Sequence, residues 1–169
     1  MAAKKFITLV AGVFTEIQAI LTSAGAGSSG LIPALDSTGR LDQTFMPVGV
    51  VPDVKSIVTS ENLSAGNLVN IYDNSSVPTA RKADCSNGRV AMGFVLAATT
   101  SPAAAIVYFP GVTNTGLSAM TTGILQYLST AGGISSTAPS TSGYISQQIG
   151  YAASATELPF NPQIAVTLA

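Results

Sequence analysis

Apolar residues fall into two regimes along the chain. In the first, Phe6, Val10, Val13, Ile17 and Ile20 follow one another at steps of 4, 3, 4 and 3. That alternation lays a single stripe along a helix, and Leu9, Phe14 and Leu21 widen it. The spacing predicts an apolar N-terminal helix over residues 1–24. Two heptads do not hold a helix in water by themselves, so it is expected to dock on its own domain, on sister copies or on a foreign surface. Two other readings stay open. Lys4-Lys5, the run Phe6–Phe14 and then Ser23-Ala24-Gly25 carry parts of a secretory leader, and the run approaches the ~20 apolar residues of a membrane span. The polar interruption Thr15-Glu16-Ile17-Gln18 counts against both.

Residues 25–53 read as a flexible linker and extended arm. Gly25–Gly30 is small and hinge-like, and Asp36-Ser37-Thr38-Gly39 is turn chemistry flanked by Leu35 and Leu41. Pro33, Pro47 and Pro52 keep the segment out of a long helix. An arm of this kind lies along a neighbour or across the chain's own β domain.

The second regime starts near Val54, with short apolar runs punctuated by Gly, Ser, Thr, Asn and Pro. Strands are expected at Ser56–Thr59, Leu68–Tyr72, Thr79–Ala83, Val90–Ala97, Ile106–Phe109, Ile124–Leu128, Ile145–Ala152 and Ile164–Leu168. The class is mainly β, a barrel or a sandwich. Sliding the domain along itself by 57 residues brings Gly66 onto Gly123, Leu68 onto Leu125, Val77 onto Ile134, and Met92-Gly93-Phe94 onto Ile149-Gly150-Tyr151. The expectation is a pseudo-repeat, 54–110 and 111–169, of two similar halves.

Composition narrows the function more than the fold. There is no histidine, so Ser-His-Asp and Cys-His catalysis and histidine metal sites are excluded. The single Cys85 has no partner for an internal disulfide. The carboxylates show no metal-loop spacing, and Gly25–Gly30 lacks the lysine of a phosphate loop. No enzyme, cofactor or metal is expected. Basic residues are scattered and net charge is −1, which leaves no patch for nucleic acid. Charged residues make up only 9% of the chain, against ~25% in an ordinary domain. A surface of Ser, Thr, Asn and Gln explains that deficit as well as a surface covered by partners does.

Three stretches carry a likeness to known proteins. They are Lys5-Phe6-Ile7-Thr8 running to Ser23-Ala24-Gly25-Ala26; Ile32-Pro33-Ala34-Leu35-Asp36-Ser37-Thr38-Gly39-Arg40-Leu41-Asp42 with Met46-Pro47-Val48-Gly49-Val50; and, in the β domain, Arg81-Lys82-Ala83-Asp84, Gly93-Phe94-Val95-Leu96-Ala97 and Gly150-Tyr151-Ala152. Over nearly its full length the chain resembles the capsid decoration (cement) or head-fibre proteins of tailed bacteriophages. The resemblance implies a structural protein, made in the host cytoplasm, that binds the outside of an assembled phage head and bridges its major capsid protein. It also implies a homo-oligomer, trimer or dimer, with no membrane partner. The expected subunit or capsid interface comprises Phe6, Val10, Val13, Ile17, Ile20, Leu31, Ile32, Leu35, Arg40, Leu41, Phe45 and Met46. The Leu35–Asp42 stretch also occurs in tail and fibre components, so a head- or tail-fibre adhesin that contacts a host receptor is the alternative. A secreted or membrane-tethered barrel is a further one.

Overall fold

The computed structural model describes residues 4–46 and 53–169. The chain divides into two compact units, Met1–Val51 and Pro52–Ala169. The expected arm residues Pro47-Val48-Gly49-Val50 and Pro52 lie outside the described residues.

The N-terminal helix is not formed. Lys5–Val10 (β1) and Val13–Gln18 (β2) make an antiparallel hairpin instead. Ala11 and Gly12 take φ of 49° and 83°, the two left-handed positions of a two-residue hairpin turn. The helical spacing and the hairpin use the same residues. A step of 4 keeps two residues on one face of a strand, and the step of 3 from Val10 to Val13 spans the turn. Phe6 therefore sits opposite Ile17, and Val10 opposite Val13, on a single face. With Val10, Val13, Ile17, Thr8 and Thr15 β-branched, strand geometry suits these side chains better than a helix.

The rest of this unit is irregular. Gly25–Ser28 and Gln43–Phe45 are short 3-10 turns. Ile20 bridges Pro33, donating its N–H to Ile32 and accepting from Ala34. The arm thus folds back across the end of the hairpin. Asp36 accepts from the N–H groups of Thr38 and Arg40 and from the Thr38 hydroxyl, closing the expected turn.

In the second unit, Val54–Thr59 (β3), Leu68–Asn74 (β4), Val77–Lys82 (β5), Gly93–Val95 (β6) and Ala104–Tyr108 (β7) form a closed barrel in the order β3-β5-β4-β6-β7. Only β3 and β5 run parallel. Ile57, Leu63, Val69, Ala80, Val95, Ala105 and Val107 form its core, which is how so small a barrel is filled.

The second half contains Thr113–Asn114 (β8), Leu125–Leu128 (β9), Ile134–Ser135 (β10), Ile145–Ser146 (β11), Gln148–Tyr151 (β12), Leu158–Pro159 (β13) and Val166–Thr167 (β14). Its central sheet, β10-β9-β12, copies β5-β4-β6. The pairs Leu68↔Phe94 and Val69↔Gly93 recur 57 residues later as Leu125↔Tyr151 and Gln126↔Gly150. The N–H of Gly66 bonded to the carbonyl of Val95 recurs as Gly123 bonded to Ala152.

The copy is incomplete, for reasons visible in its residues. Shifted by 57, the seven core positions of the barrel become Asn114, Met120, Gln126, Thr137, Ala152, Pro162 and Ile164. Three are polar, and Pro162 cannot donate to a ladder. Asn114 donates to the Gly66 carbonyl, and Gly116 packs so closely on Gly66 that a Cβ there would lie 2.5 Å from its nitrogen. These contacts hold the counterpart of β3 against the first half, where it pairs with β13. The counterpart of β7, residues 161–165, stays beside β12 without forming a regular strand: the N–H groups of Asn161 and Gln163 donate to the carbonyls of Ile149 and Gln148, and Ile164 is 91% exposed where Val107 is buried. The second half therefore keeps three of the five staves as a regular sheet and does not close.

A second cluster joins the halves. Leu68, Phe94, Leu128, Ile149, Leu158 and Phe160 pack together, with the Phe94 ring stacked on Tyr108 and edge-on to Phe160, each at 5.3 Å.

Candidate attachment surface

The N-terminal unit lacks what normally holds a fold together. Among its described residues the only buried apolar side chain is Ala34, while eleven large apolar side chains are exposed. Ile7, Leu9 and Phe14 share one face of the hairpin, with Ile7 at 73% and Phe14 at 79% exposure. Val10 and Val13 stand exposed on the other face, beside the turn. At the base of the Ile7 face, Lys5 and Glu16 form a 3.1 Å ion pair that both partners share with solvent. A shallow hollow of about 370 Å³ runs from Lys5, Phe6 and Ile7 to Phe14, Thr15 and Glu16.

The expected interface residues divide by this geometry. Phe6 and Ile17 are half-buried, facing one another across the hairpin, and Ile20 is half-buried at its bridge to Pro33. Val10, Val13, Leu31, Ile32, Leu35, Leu41 and Met46 are exposed, while Phe45 is half-buried in its 3-10 turn. Arg40 is exposed, its backbone held in the Asp36 turn. The helical reading passed over Ile7 and set Leu9 and Phe14 at the margin of the Phe6–Ile20 stripe, whereas the hairpin puts them on the opposite face, the most exposed one. Alternation of period 2 through Lys5-Phe6-Ile7-Thr8-Leu9 was the signal that would have found it.

The unit is electrically neutral, with Lys4, Lys5 and Arg40 against Glu16, Asp36 and Asp42. Asp36 titrates below the usual carboxylate range, chiefly because the Arg40 N–H and the Thr38 hydroxyl donate to it. Asp42 is lowered likewise by the Thr44 hydroxyl and N–H. Asp36 and Asp42 thus serve local turns.

A polar cleft of about 300 Å³ opens in the second unit, lined by Ser118, Met120, Thr121, Gln126, Ile134 and Ser136, among others. Gln126, only 3% exposed, donates to the Ile124 carbonyl two residues earlier at 3.3 Å. The sequence held no sign of this cleft. Among the described residues no group of three Cys, Asp or Glu side chains converges to hold a metal ion, and no helix is long and apolar enough to cross a membrane.

Burial pushes the Cys85 thiol up, reinforced by the nearby Asp84 charge. No protein-family model matches the chain, and no curated protein sequence matches it.

Proposed function

We propose that this chain is a structural virion protein that binds the outside of an assembled phage capsid and stabilises it, without chemistry of its own. The observation that carries the reading is the coreless N-terminal unit. Eleven large apolar side chains, from 37% to 79% exposed, stand open to solvent with almost no core beneath them. They are spread over both hairpin faces and the arm, and a specific interface takes ~800 Å² from each partner. Neutrality of the unit suits close packing against protein. The resemblance of the Leu35–Asp42 stretch to virion proteins supplies the kind of particle. Under this reading residues 4–46 grip the major capsid protein or sister copies, and the β domain is the outward body. A protein that binds only the assembled shell stabilises it by mass action, repeated at every site.

Co-sedimentation with empty capsids tests the proposal. The full chain is expected to pellet with them, and a variant carrying Ile32→Asp and Leu35→Asp is expected to stay in the supernatant. A full chain that stays in the supernatant, or a variant that pellets equally well, overturns it.

A further inference from the structure

The two-residue turn at Ala11-Gly12 decides which backbone groups of the hairpin face outward. Val10 and Val13 close that turn and exchange hydrogen bonds, as do Thr8 with Thr15 and Phe6 with Ile17, because bonded and unbonded pairs alternate. The bond from the Ala19 N–H to the Lys4 carbonyl continues that alternation. The N–H and C=O groups of Lys5, Ile7 and Leu9 therefore line one outer edge, and those of Phe14 and Glu16 the other. Among the described residues no backbone bond reaches them. Open edges of this kind pair with other chains unless blunted, and here neither proline nor bulge blunts them. An isolated hairpin is also at best marginally stable in water.

The same residues carry the most exposed face, with Ile7, Leu9 and Phe14 apolar and the opposite charges of Lys5 and Glu16 at its base. The Lys5 edge of one hairpin can lie antiparallel to the Glu16 edge of the next in registers two residues apart. In one of them Lys5 faces the neighbour's Glu16 and Ile7 faces its Phe14, so that charge meets opposite charge and apolar meets apolar. That register advances each hairpin by two residues on the one before. Around a ring the stagger is then about one residue per strand, the ratio that gives closed barrels a tilt of ~36°. Moving the register by two residues removes the stagger in one direction and doubles it in the other. With the Ile7 face turned inward, the tilt also takes the hand that right-handed strand twist demands. Charge, closure and handedness thus select one register. Three hairpins in it enclose a lumen ~12 Å across, close to the ~10 Å between packed sheets.

We infer that three copies of this chain assemble through their hairpins into a closed six-stranded barrel. Ile7, Leu9 and Phe14 of each copy fill it, and Lys5 and Glu16 alternate around one rim. Closure removes the hairpin edges and supplies the core that the N-terminal unit lacks. The inference stands apart from the capsid reading, because its experiment contains no capsid and alters neither Ile32 nor Leu35.

Sedimentation equilibrium of the full-length chain is expected to give the mass of three copies; monomers, dimers or larger rings overturn the inference. Ile7→Asp places a charge in the lumen and should weaken the trimer at least about tenfold, and an unchanged association overturns the inference too. Disulfide trapping reads the register. With Cys85 changed to Ala in both, a full-length chain carrying Thr8→Cys is co-expressed with one carrying Val13→Cys. Both positions lie on the face away from Ile7, so neither change removes a core side chain. In the closed barrel they form an unbonded pair across the junction of two copies, with Cα atoms ~4.5 Å apart, within disulfide reach. Mild oxidation is expected to link one chain of each kind. Links between like chains alone, or no link at all, overturn the inference.

Discussion

Asp84 ties together pieces of backbone that are distant in sequence. One carboxylate oxygen accepts from the N–H and hydroxyl of Ser86, and the other accepts from the N–H of Ala131 in the second half. Burial pushes its pKa up, but the Ser86 and Ala131 hydrogen bonds, with Arg89 nearby, outweigh this and leave it below the usual 3.8. A depressed carboxylate adds stability that is complete above its unfolded pKa and disappears as pH falls through the folded one. Urea unfolding between about pH 5 and pH 2 should therefore show a steeper loss for the natural chain than for Asp84→Asn. Gln147 is a second such residue, with the Ala91 N–H donating to its Oε1 at 2.7 Å and its Nε2 donating to the Ala91 and Gln163 carbonyls. Gln147→Leu strands the Ala91 groups in the interior and should lower the unfolding free energy by about 1–3 kcal/mol. Neither role was legible in the sequence, because both depend on backbone groups brought close only by folding.

Elements were legible where their residues carry one meaning. The runs around Leu68, Ile106 and Leu125 are strands where expected, since β-branched and aromatic residues bounded by glycine fit little else. The hairpin was not, because steps of 4 and 3 suit both a helix and two strands joined by a two-residue turn. Ala11-Gly12 decides between them, and Ala11 pays a steric penalty for its positive φ. Ala11→Gly should relieve roughly 1 kcal/mol of that strain and raise the thermal midpoint of any transition that includes the hairpin. The short strands β8, β10 and β13 escaped notice for a different reason: two residues are too few to show a period. The 57-residue register was visible through Gly93 and Gly150, and the structure gives both a steric task. A Cβ at Gly93 would lie 2.6 Å from a Val107 methyl, and one at Gly150 would lie 2.4 Å from the Pro159 carbonyl oxygen. Gly93→Ala should cost about 1–3 kcal/mol, as overpacking commonly does, measured by thermal unfolding.

At the scale of the molecule, the two halves of the β domain share one interior while the N-terminal unit has almost none. Phe160 of the second half meets Phe94 of the first, so Phe160→Ala should destabilise both halves together, by about 3–5 kcal/mol. A single transition seen by tyrosine fluorescence and by far-ultraviolet circular dichroism would show that coupling, and two separate transitions would refute it. The candidate interface was legible as an apolar N-terminal segment with no core. Which face it presents was not, because that depended on choosing between helix and hairpin. The coreless hairpin also has a consequence during synthesis. It leaves the ribosome ahead of the strands from β3 onward, and at ~5–20 residues per second they follow over roughly ten seconds. Through that interval its open edges and exposed Ile7, Leu9 and Phe14 stand beside identical segments on neighbouring ribosomes of the same message. Production of this chain should thus be limited by translation density more than by the stability of the finished fold.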